Sequence, residues 1–434
     1  MTDTLTHARV LKIAAPIVLS NATIPILGVV DTAVVGQMGQ AAPIGAVGIG
    51  AVILSAFYWL FGFLRMGTAG LTAQAHGAGN AAEVAALLTR VLLIGFTAGL
   101  AIMALQWPLF AAAFAISPAS PEVESLARSY MQIRIFSAPA AIALFGITGW
   151  LIALERTKAV LLLQLWMNGL NIVLNFVFVL GFDMGVEGVA TATLAAEWSG
   201  LALGLYLCRN AFRTPDWKNW ARVFDSAKLT NMASVNTDIM IRSILLEAAL
   251  IAFLFYGADL GDVTLAANQI LLQFMHVTSY AMDGFAFSAE ALVGQAFGAS
   301  QRDKLRRAAI LTSIWGVGTA VALAAIFALA GGAIIDLMTT APDVQAEARA
   351  YLIYMTLGPL FGVAAFMLDG IFIGATRTRD MRNMMLISFA IYAAALAILL
   401  PALSNHGLWL SLQVLYVARG VTLAWRYPAL ERAA

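Results

Sequence analysis

The first long apolar stretch of the chain contains one carboxylate, Asp31, whose depth in that stretch favours a role in ion coupling. The segment before it, LSNATIPILGVV, holds no basic residue that could neutralise its charge. An ionised group near the centre of a bilayer costs roughly 2.5–3.5 kcal/mol, so it needs a partner, a wet cavity or a function. Burial disfavours the charged form of a carboxyl group, which lets it exchange a proton near neutral pH, or its oxygens could coordinate a hard cation such as Na⁺. The alternative is an aspartate near the outer end of a helix that faces water or caps a turn.

A stripe of three amides follows in the segment LLLQLWMNGLNIVLNFVFVLG. Asn168, Asn171 and Asn175 are spaced i, i+3 and i+7, which puts them on one face of a helix. That face should meet protein or a cavity rather than lipid, and it could surround Asp31 and hold its proton or a cation. The alternative is hydrogen bonding between helices, each bond contributing about 0.6 kcal/mol. Thr193, in a later apolar segment, is a weaker candidate for the same site.

Four polar residues in the second half of the chain are further candidates for cation or substrate binding. Asp283 and Asp369 each precede a glycine, which combines a charge with close backbone approach. Glu247 and Asn268 lie in other apolar stretches of that half. Asp283 and Asp369 could each bind an organic cation, carry a proton or only fix helix packing, and spacing alone does not rank these two acids.

Two local features predict structural effects near these candidates. Asp238 and Arg242 are four residues apart, so they are predicted to pair on one helix face. Pro16 and Pro25 lie in the first apolar segment, where proline frees a backbone carbonyl and favours a bend. A bend there could move Asp31 between environments, or it could be a static kink.

The amino-acid composition indicates that these residues lie on membrane-spanning helices. The chain has 434 residues, of which 61% are hydrophobic and only 11% charged, against roughly 25% charged in soluble domains. A membrane-spanning helix needs about 20 apolar residues. We therefore predict an all-α, polytopic membrane protein with twelve transmembrane helices. The predicted segments are 10–36, 44–72, 86–115, 128–154, 159–181, 186–208, 230–257, 263–293, 307–331, 349–374, 384–403 and 407–425.

The basic residues fall on one side of this layout. Alternate breaks between the segments hold most of the 25 lysine and arginine residues, for example 209–229 and 302–307. Because short basic loops stay in the cytoplasm, we predict that both termini are cytoplasmic. The expected location is a bacterial-type inner (plasma) membrane.

An internal repeat divides the chain. TAQAHGAGNAAEVAALLTR, from Thr72, matches VGQAFGASQRDKLRRAAIL, from Val293, at an offset of 221 that also pairs Gly149 with Gly370. Six helices separate equivalent positions, so the two halves should have the same orientation, related by an axis along the membrane normal. The predicted domains are an N-terminal six-helix lobe (1–208), a cytoplasmic linker (209–229) and a C-terminal six-helix lobe (230–434).

Several functional classes find no support in the sequence. Walker A, HExxH and GxSxG motifs are absent from it, so an enzyme is not expected and transport energy should come from an ion gradient. A net charge of +1 gives no reason to expect a nucleic-acid partner. One cysteine and four scattered histidines do not suggest a metal site.

The segments that hold these candidates, taken together, carry a family resemblance. They include NATIPILGVVDTAVVGQMG, FLRMGTAGLTAQAHGAGN, NGLNIVLN, AMDGFAFSAEALVGQAFGA and MLDGIFIGATRTRDMRN. With them the chain resembles the MATE (multidrug and toxic compound extrusion) family over nearly its whole length, and in particular the DinF-like branch. The resemblance implies two six-helix lobes that alternate between outward and inward openings. It also implies export of a drug-like, often cationic substrate in exchange for H⁺ or Na⁺.

The resemblance also assigns roles to particular residues. Asp31 matches an acid that couples to the cation, Pro16 matches a proline proposed to let the first helix bend, and Asn171 and Thr193 match polar partners of the acid. Asn175 departs from the pattern, because many relatives carry a second acid there. This departure weakens the case for tight Na⁺ binding and leaves Asp31 as the main titrating group of the N-terminal lobe.

The leading hypothesis is a proton-coupled antiporter, with Na⁺ as the second choice of coupling ion, that exports small amphiphilic or cationic compounds, works in the bilayer as a monomer and needs no other cofactor. Coupling through the C-terminal lobe stays open, since Asp369 matches a region that binds cations in other branches. The alternative is a flippase or exporter of a lipid-linked or other endogenous metabolite on the same fold. A phosphate-bearing lipid would favour a basic cavity, whereas the acids in the predicted helices outnumber the bases.

Overall fold

The computed structural model describes residues 5–37, 41–116 and 120–434, and the regular secondary structure of these residues is helical throughout. Twelve long helices account for most of the described chain, which confirms the predicted all-α class and twelve-helix layout. They are α1 (His7–Gly36), α2 (Ala41–Gly77), α3 (Ala81–Ala104), α4 (Pro121–Ala153), α5 (Thr157–Gly181), α6 (Gly185–Leu207), α7 (Ser226–Asp259), α8 (Asp262–Gly298), α9 (Arg302–Met338), α10 (Pro342–Gly374), α11 (Thr378–Leu403) and α12 (Asn405–Arg432).

Ten of these helices, within the described ranges, are both long enough and apolar enough to cross a membrane. The other two, α6 and α8, are long enough but more polar. Polar groups inside a bilayer face protein or a water-filled cavity rather than lipid. The two helices that depart from the apolar pattern are therefore places to look for a functional site.

The internal repeat is confirmed by the bounds of the helices. The first residues of α2, α3, α4 and α5 lie 221 residues before those of α8, α9, α10 and α11. One close crossing between two helices is also present in both halves. A Cβ at Gly149 would overlap the carbonyl oxygen of Arg65, and a Cβ at Gly370 would overlap the carbonyl oxygen of Ala286. The two glycines correspond at the offset of 221, and so do Arg65 and Ala286. Each half therefore uses a glycine to bring two backbones into direct contact.

The chain packs into two compact units. The N-terminal unit comprises Leu19–Thr72 and Asn80–Thr230, and the C-terminal unit comprises the chain up to Val18, Ala73–Gly79 and Asn231–Ala434. The change of unit near residue 230 lies beside the predicted end of the linker, whereas the start of α1 and the end of α2 pack with the C-terminal unit. The lobe bounds 1–208, 209–229 and 230–434 stay a prediction.

The segment predicted as a linker is tied to α3 within the N-terminal unit. Arg90 donates from Nε to the carbonyl of Val223 at 2.9 Å and from Nη2 to that of Arg222 at 2.5 Å. The Thr89 hydroxyl donates to the carbonyl of Trp217 at 2.7 Å. The segment itself forms three short helical turns, Arg209–Phe212, Pro215–Lys218 and Trp220–Val223. The linker backbone is thus held by buried side chains of a membrane helix.

Candidate functional site

Helix α1 is interrupted just before the half that carries Asp31. The first piece of the helix ends at Ala22. The N–H and the hydroxyl of Thr23 both donate to the carbonyl oxygen of Ser20, at 3.1 and 2.7 Å. Pro25 lies in the first turn of the following piece, Ile24–Gly36. Its ring lacks an N–H and clashes with the carbonyl four residues earlier, which accounts for the interruption. The helix continues across Pro16, the predicted hinge, so the observed break lies at Thr23.

The predicted partners of Asp31 meet it in one hydrogen-bonded chain. Asn175 Nδ2 donates to Asp31 Oδ1 at 2.6 Å and to Asn171 Oδ1 at 2.7 Å. Asn171 Nδ2 donates to the Thr193 hydroxyl at 3.0 Å, and that hydroxyl donates to the carbonyl of Val189 at 3.1 Å. Asp31 is half-buried, and Asn175 is 0% exposed. The chain of bonds joins α1, α5 and α6 inside the N-terminal unit.

One acceptor in this chain is left over. Asn175 Oδ1 is buried and has no hydrogen-bond partner among the described residues. A buried acceptor without a donor costs roughly 1–3 kcal/mol, so a proton donor or a cation at Asp31 would find a favourable neighbour there. The helix also widens next to this residue, because Phe176–Gly181 is a π-helical turn in which Phe182 N–H donates to the carbonyl of Val177. Such turns are frequent at functional sites.

The third amide of the stripe serves a different contact. Asn168 Nδ2 donates to the hydroxyl of Thr23 at 2.8 Å, and Gln164 Nε2 donates to Asn168 Oδ1 at 3.0 Å. Asn168 therefore binds α5 to the interruption in α1, two turns away from the bond between Asn175 and Asp31. The single face predicted for the three amides thus contacts α1 at two levels.

Sequence reasoning missed a buried ion pair in the same unit. Arg134, 8% exposed, donates from Nη1 to Glu197 Oε2 at 2.8 Å. Arg134 lies within electrostatic range of Asp31, so the site contains a positive charge as well as negative ones. Neither Arg134 nor Glu197 was among the predicted site residues. A signal existed, since Glu197 lies four residues after Thr193 and so shares its helix face.

The charged residues of the C-terminal unit pair differently from the prediction. Asp369 Oδ2 accepts hydrogen bonds from Nη2 of both Arg242 and Arg419. Asp238 instead accepts from Arg382 Nη1 at 2.6 Å. The predicted pair between Asp238 and Arg242 is therefore wrong, because each finds a partner on another helix.

Asn268, another candidate of this unit, does not contact Asp369. Asn268 is fully buried and exchanges two hydrogen bonds with Asn405, at 2.8 and 3.0 Å, while its Oδ1 also accepts from Trp409. Asn405 and Arg419, the partner of Asp369, are 14 residues apart on α12, which is about 21 Å along a helix. Asn268 and Asp369 thus lie in different parts of the unit. Glu247 on α7 and Asp283 on α8 are both half-buried.

Comparisons with known proteins agree on one family. The family model described as MatE matches residues 16–177 and 239–399, one range in each half of the repeat. DNA damage-inducible protein F of Escherichia coli (strain K12) is 39% identical over 95% of this chain and 91% of its own length. A probable multidrug resistance protein NorM of Rhizobium meliloti (strain 1021) is 28% identical, with 98% and 94% covered. The Vibrio cholerae MATE transporter VcmN, in its bent form, has the same fold, with a TM-score of 0.88, 19% identity and 98% and 97% covered.

Proposed function

Because this chain belongs to the MatE family of membrane transporters, we propose that it is a secondary active antiporter that exports small amphiphilic or cationic organic compounds in exchange for H⁺. Relatives described as multidrug resistance proteins support the export of drug-like compounds. The observation that carries the proposal is the hydrogen bond from Asn175 to Asp31, 2.6 Å long, at one end of a buried chain of amides.

The two protonation states of Asp31 would use different atoms of Asn175. The ionised carboxylate accepts from Asn175 Nδ2, whereas a protonated carboxyl can donate its hydrogen to the unpartnered Asn175 Oδ1. A cationic substrate and a proton would then compete for the same carboxylate. Transport follows if the two states of Asp31 favour different conformations, since a ligand shifts an equilibrium only through differential affinity. The break at Thr23 would let the half of α1 that carries Asp31 change its orientation relative to the first half.

The composition of the site favours a proton over Na⁺ as the coupling ion. A hard cation is held by several oxygen ligands, and its affinity rises with their negative charge. Here Asp31 is surrounded by neutral side chains, Asn171, Asn175 and Thr193. The positive charge of Arg134 within electrostatic range further disfavours a bound metal cation. A proton needs only the carboxylate itself.

The test is dye efflux from proteoliposomes that hold the purified protein. A pH gradient and a Na⁺ gradient are imposed separately, with a panel of cationic dyes as substrates. We expect the pH gradient to drive efflux and Asp31→Asn to abolish it while the variant still inserts and unfolds cooperatively. Thr191→Val, which removes a hydroxyl that donates to the Glu187 carbonyl of its own helix α6, serves as the control. Efflux at the wild-type rate in Asp31→Asn, or efflux driven by Na⁺ alone, would contradict the proposal.

We further propose that both termini face the cytoplasm, that the transporter acts as a monomer, and that it needs neither a cofactor nor a nucleic-acid partner. The support for the orientation of the termini is the excess of lysine and arginine in alternate loops, since short basic loops stay in the cytoplasm. Reporter fusions at the C-terminus should be active only for a cytoplasmic reporter. Activity of a periplasmic reporter at that end would reverse the assigned orientation.

A further inference from the structure

Three buried side chains of the C-terminal unit form a cluster with an excess positive charge. Asp369 on α10 accepts hydrogen bonds from Arg242 on α7 and Arg419 on α12, both at the same oxygen, Oδ2. The three residues are 7%, 8% and 4% exposed. One carboxylate cancels only one of the two guanidinium charges, so this arginine cluster (Arg242, Asp369 and Arg419) keeps one net positive charge away from water.

Neighbouring carboxylates do not supply the missing negative charge. Asp238, one turn before the α7 arginine, accepts from Arg382 at 2.6 Å. Asp380 accepts from Arg377 at 3.0 Å and from Arg426 at 2.9 Å. In the part of the chain that the structure describes, Asp369 is the sole carboxylate bonded to either arginine of the cluster. The Asp238–Arg382 pair is neutral, and Asp380 with its two arginines carries one positive charge, so neither offsets the charge of the cluster.

The cluster borders a small cavity. Its volume is about 10 Å³, and it is lined by the arginine cluster, by methionines of α11 and by Thr422 and Leu423 of α12. Arg242 Nε is buried and has no hydrogen-bond partner among the described residues. An unpaired buried charge in a membrane protein is costly. One wall of the cavity thus carries the unpaired Nε–H of Arg242 and the net positive charge of the arginine cluster.

We propose that this cavity binds a small monovalent anion of halide size. Such an ion would neutralise the cluster and accept the free Nε–H of Arg242, whereas a water molecule could satisfy the donor but not the charge. The methionine side chains on α11, polarisable and adaptable, suit a large soft anion such as chloride or bromide. The volume of about 10 Å³ leaves no room for a drug-sized molecule, since a cavity of roughly 10–15 Å³ on this scale holds about one water-sized species.

The anion site gives Asp369 a different role from that expected of a cation-binding acid. The carboxylate is the bridge that holds two arginines together, and the anion completes their neutralisation. A substitution at Asp369 should therefore strengthen anion binding rather than abolish a cation site. This site belongs to the C-terminal unit, so its test does not depend on Asp31 or on the coupling ion.

The first test is thermal unfolding of the purified full-length protein in detergent at fixed ionic strength, with sodium chloride, sodium gluconate or sodium formate. We expect chloride to raise Tm over gluconate in the wild type and to have no such effect in Arg419→Gln. Arg349→Gln, which breaks an exposed ion pair of the same unit, should keep the chloride effect. Asp369→Asn should lower the half-saturating chloride concentration by at least about tenfold, because it removes a like charge a few ångströms from the anion.

The second test is crystallography with bromide, which gives an anomalous peak where the halide binds. The peak is expected within hydrogen-bonding distance of Arg242 Nε. Equal Tm values in chloride and gluconate, a chloride effect that persists in Arg419→Gln, a weaker chloride effect in Asp369→Asn, or a response to formate alone would each overturn the proposal. If Arg419→Gln does not fold, Asp369→Asn and the bromide peak still decide it.

Discussion

Replacing Asn175 with aspartate would bring two carboxylates into contact inside the N-terminal unit. Asn175 Nδ2 lies 2.6 Å from Asp31 Oδ1, and Asn175 is 0% exposed. Two unit charges about 4 Å apart repel by about 4 kcal/mol at the effective dielectric constant typical of protein sites. The substitution also removes the donor shared by Asp31 and Asn171. The variant must therefore hold one more cation than the wild type, either a proton or a metal ion.

Sodium is the cation that this variant is expected to gain. Two carboxylates and the Oδ1 of Asn171, which loses its donor, would supply oxygen ligands of the kind that hard cations prefer. We expect Na⁺ to raise the Tm of Asn175→Asp in detergent and to drive dye efflux from proteoliposomes. In the wild type, only the pH gradient should drive efflux.

Asn168→Asp is the matched control, because Asn168 lies on the same face of α5 but donates to Thr23 rather than to Asp31. It adds the same charge to the same helix without placing it against the first carboxylate. A Tm and an efflux rate of Asn175→Asp that ignore Na⁺ would refute the reasoning. An equal Na⁺ response in Asn168→Asp would show that charge on α5, and not the contact with Asp31, is responsible.

Two further predictions concern stability in detergent. Glu197→Gln leaves Arg134 as a buried unpaired charge and should lower the free energy of unfolding by about 3–5 kcal/mol, seen as a clear fall in Tm. Arg349→Gln breaks an exposed pair and should lower it by at most about 1 kcal/mol. Equal losses in the two variants would contradict the burial argument. Gly149→Ala puts a Cβ into a backbone carbonyl of α2 and should abolish the monodisperse gel-filtration peak, while Gly169→Ala, with open space around it, should not. A normal peak for Gly149→Ala would mean that the two helices can separate without loss.

The contacts of the N-terminal site could be predicted where they depend on local spacing. Asn171 and Asn175, four residues apart in an apolar helix, must share a face, and an unpaired Asp31 in another apolar helix is a natural partner. The pairing of Arg134 with Glu197 could not be predicted in this way. It joins α4 to α6, and the sequence does not state which helices pack together.

The error at Asp238 and Arg242 has a related cause. A spacing of four residues makes two side chains neighbours on a helix surface, where the pair contributes only about 0.2–0.5 kcal/mol. Partners on other helices, Arg382 for Asp238 and Asp369 for Arg242, are held by packing and replace that weak local pair. A rule derived for isolated helices therefore fails inside a bundle.

The repeat also shows how far the two halves have diverged. At the offset of 221, Asn171 corresponds to Tyr392 and Asn175 corresponds to Leu396. Both of these residues belong to the hydrophobic core of the C-terminal unit. The amide chain thus has an apolar counterpart in the second half, which supports a coupling site confined to the first.

The two glycine crossings, Gly149 over Arg65 and Gly370 over Ala286, are made by main-chain atoms. Main-chain contacts do not restrict the identity of side chains on the other faces of the same helices. One half can therefore carry amides and acids and the other an arginine cluster while both keep the same helix crossing. The helix crossing is thus common to both halves, whereas the buried polar side chains differ between them.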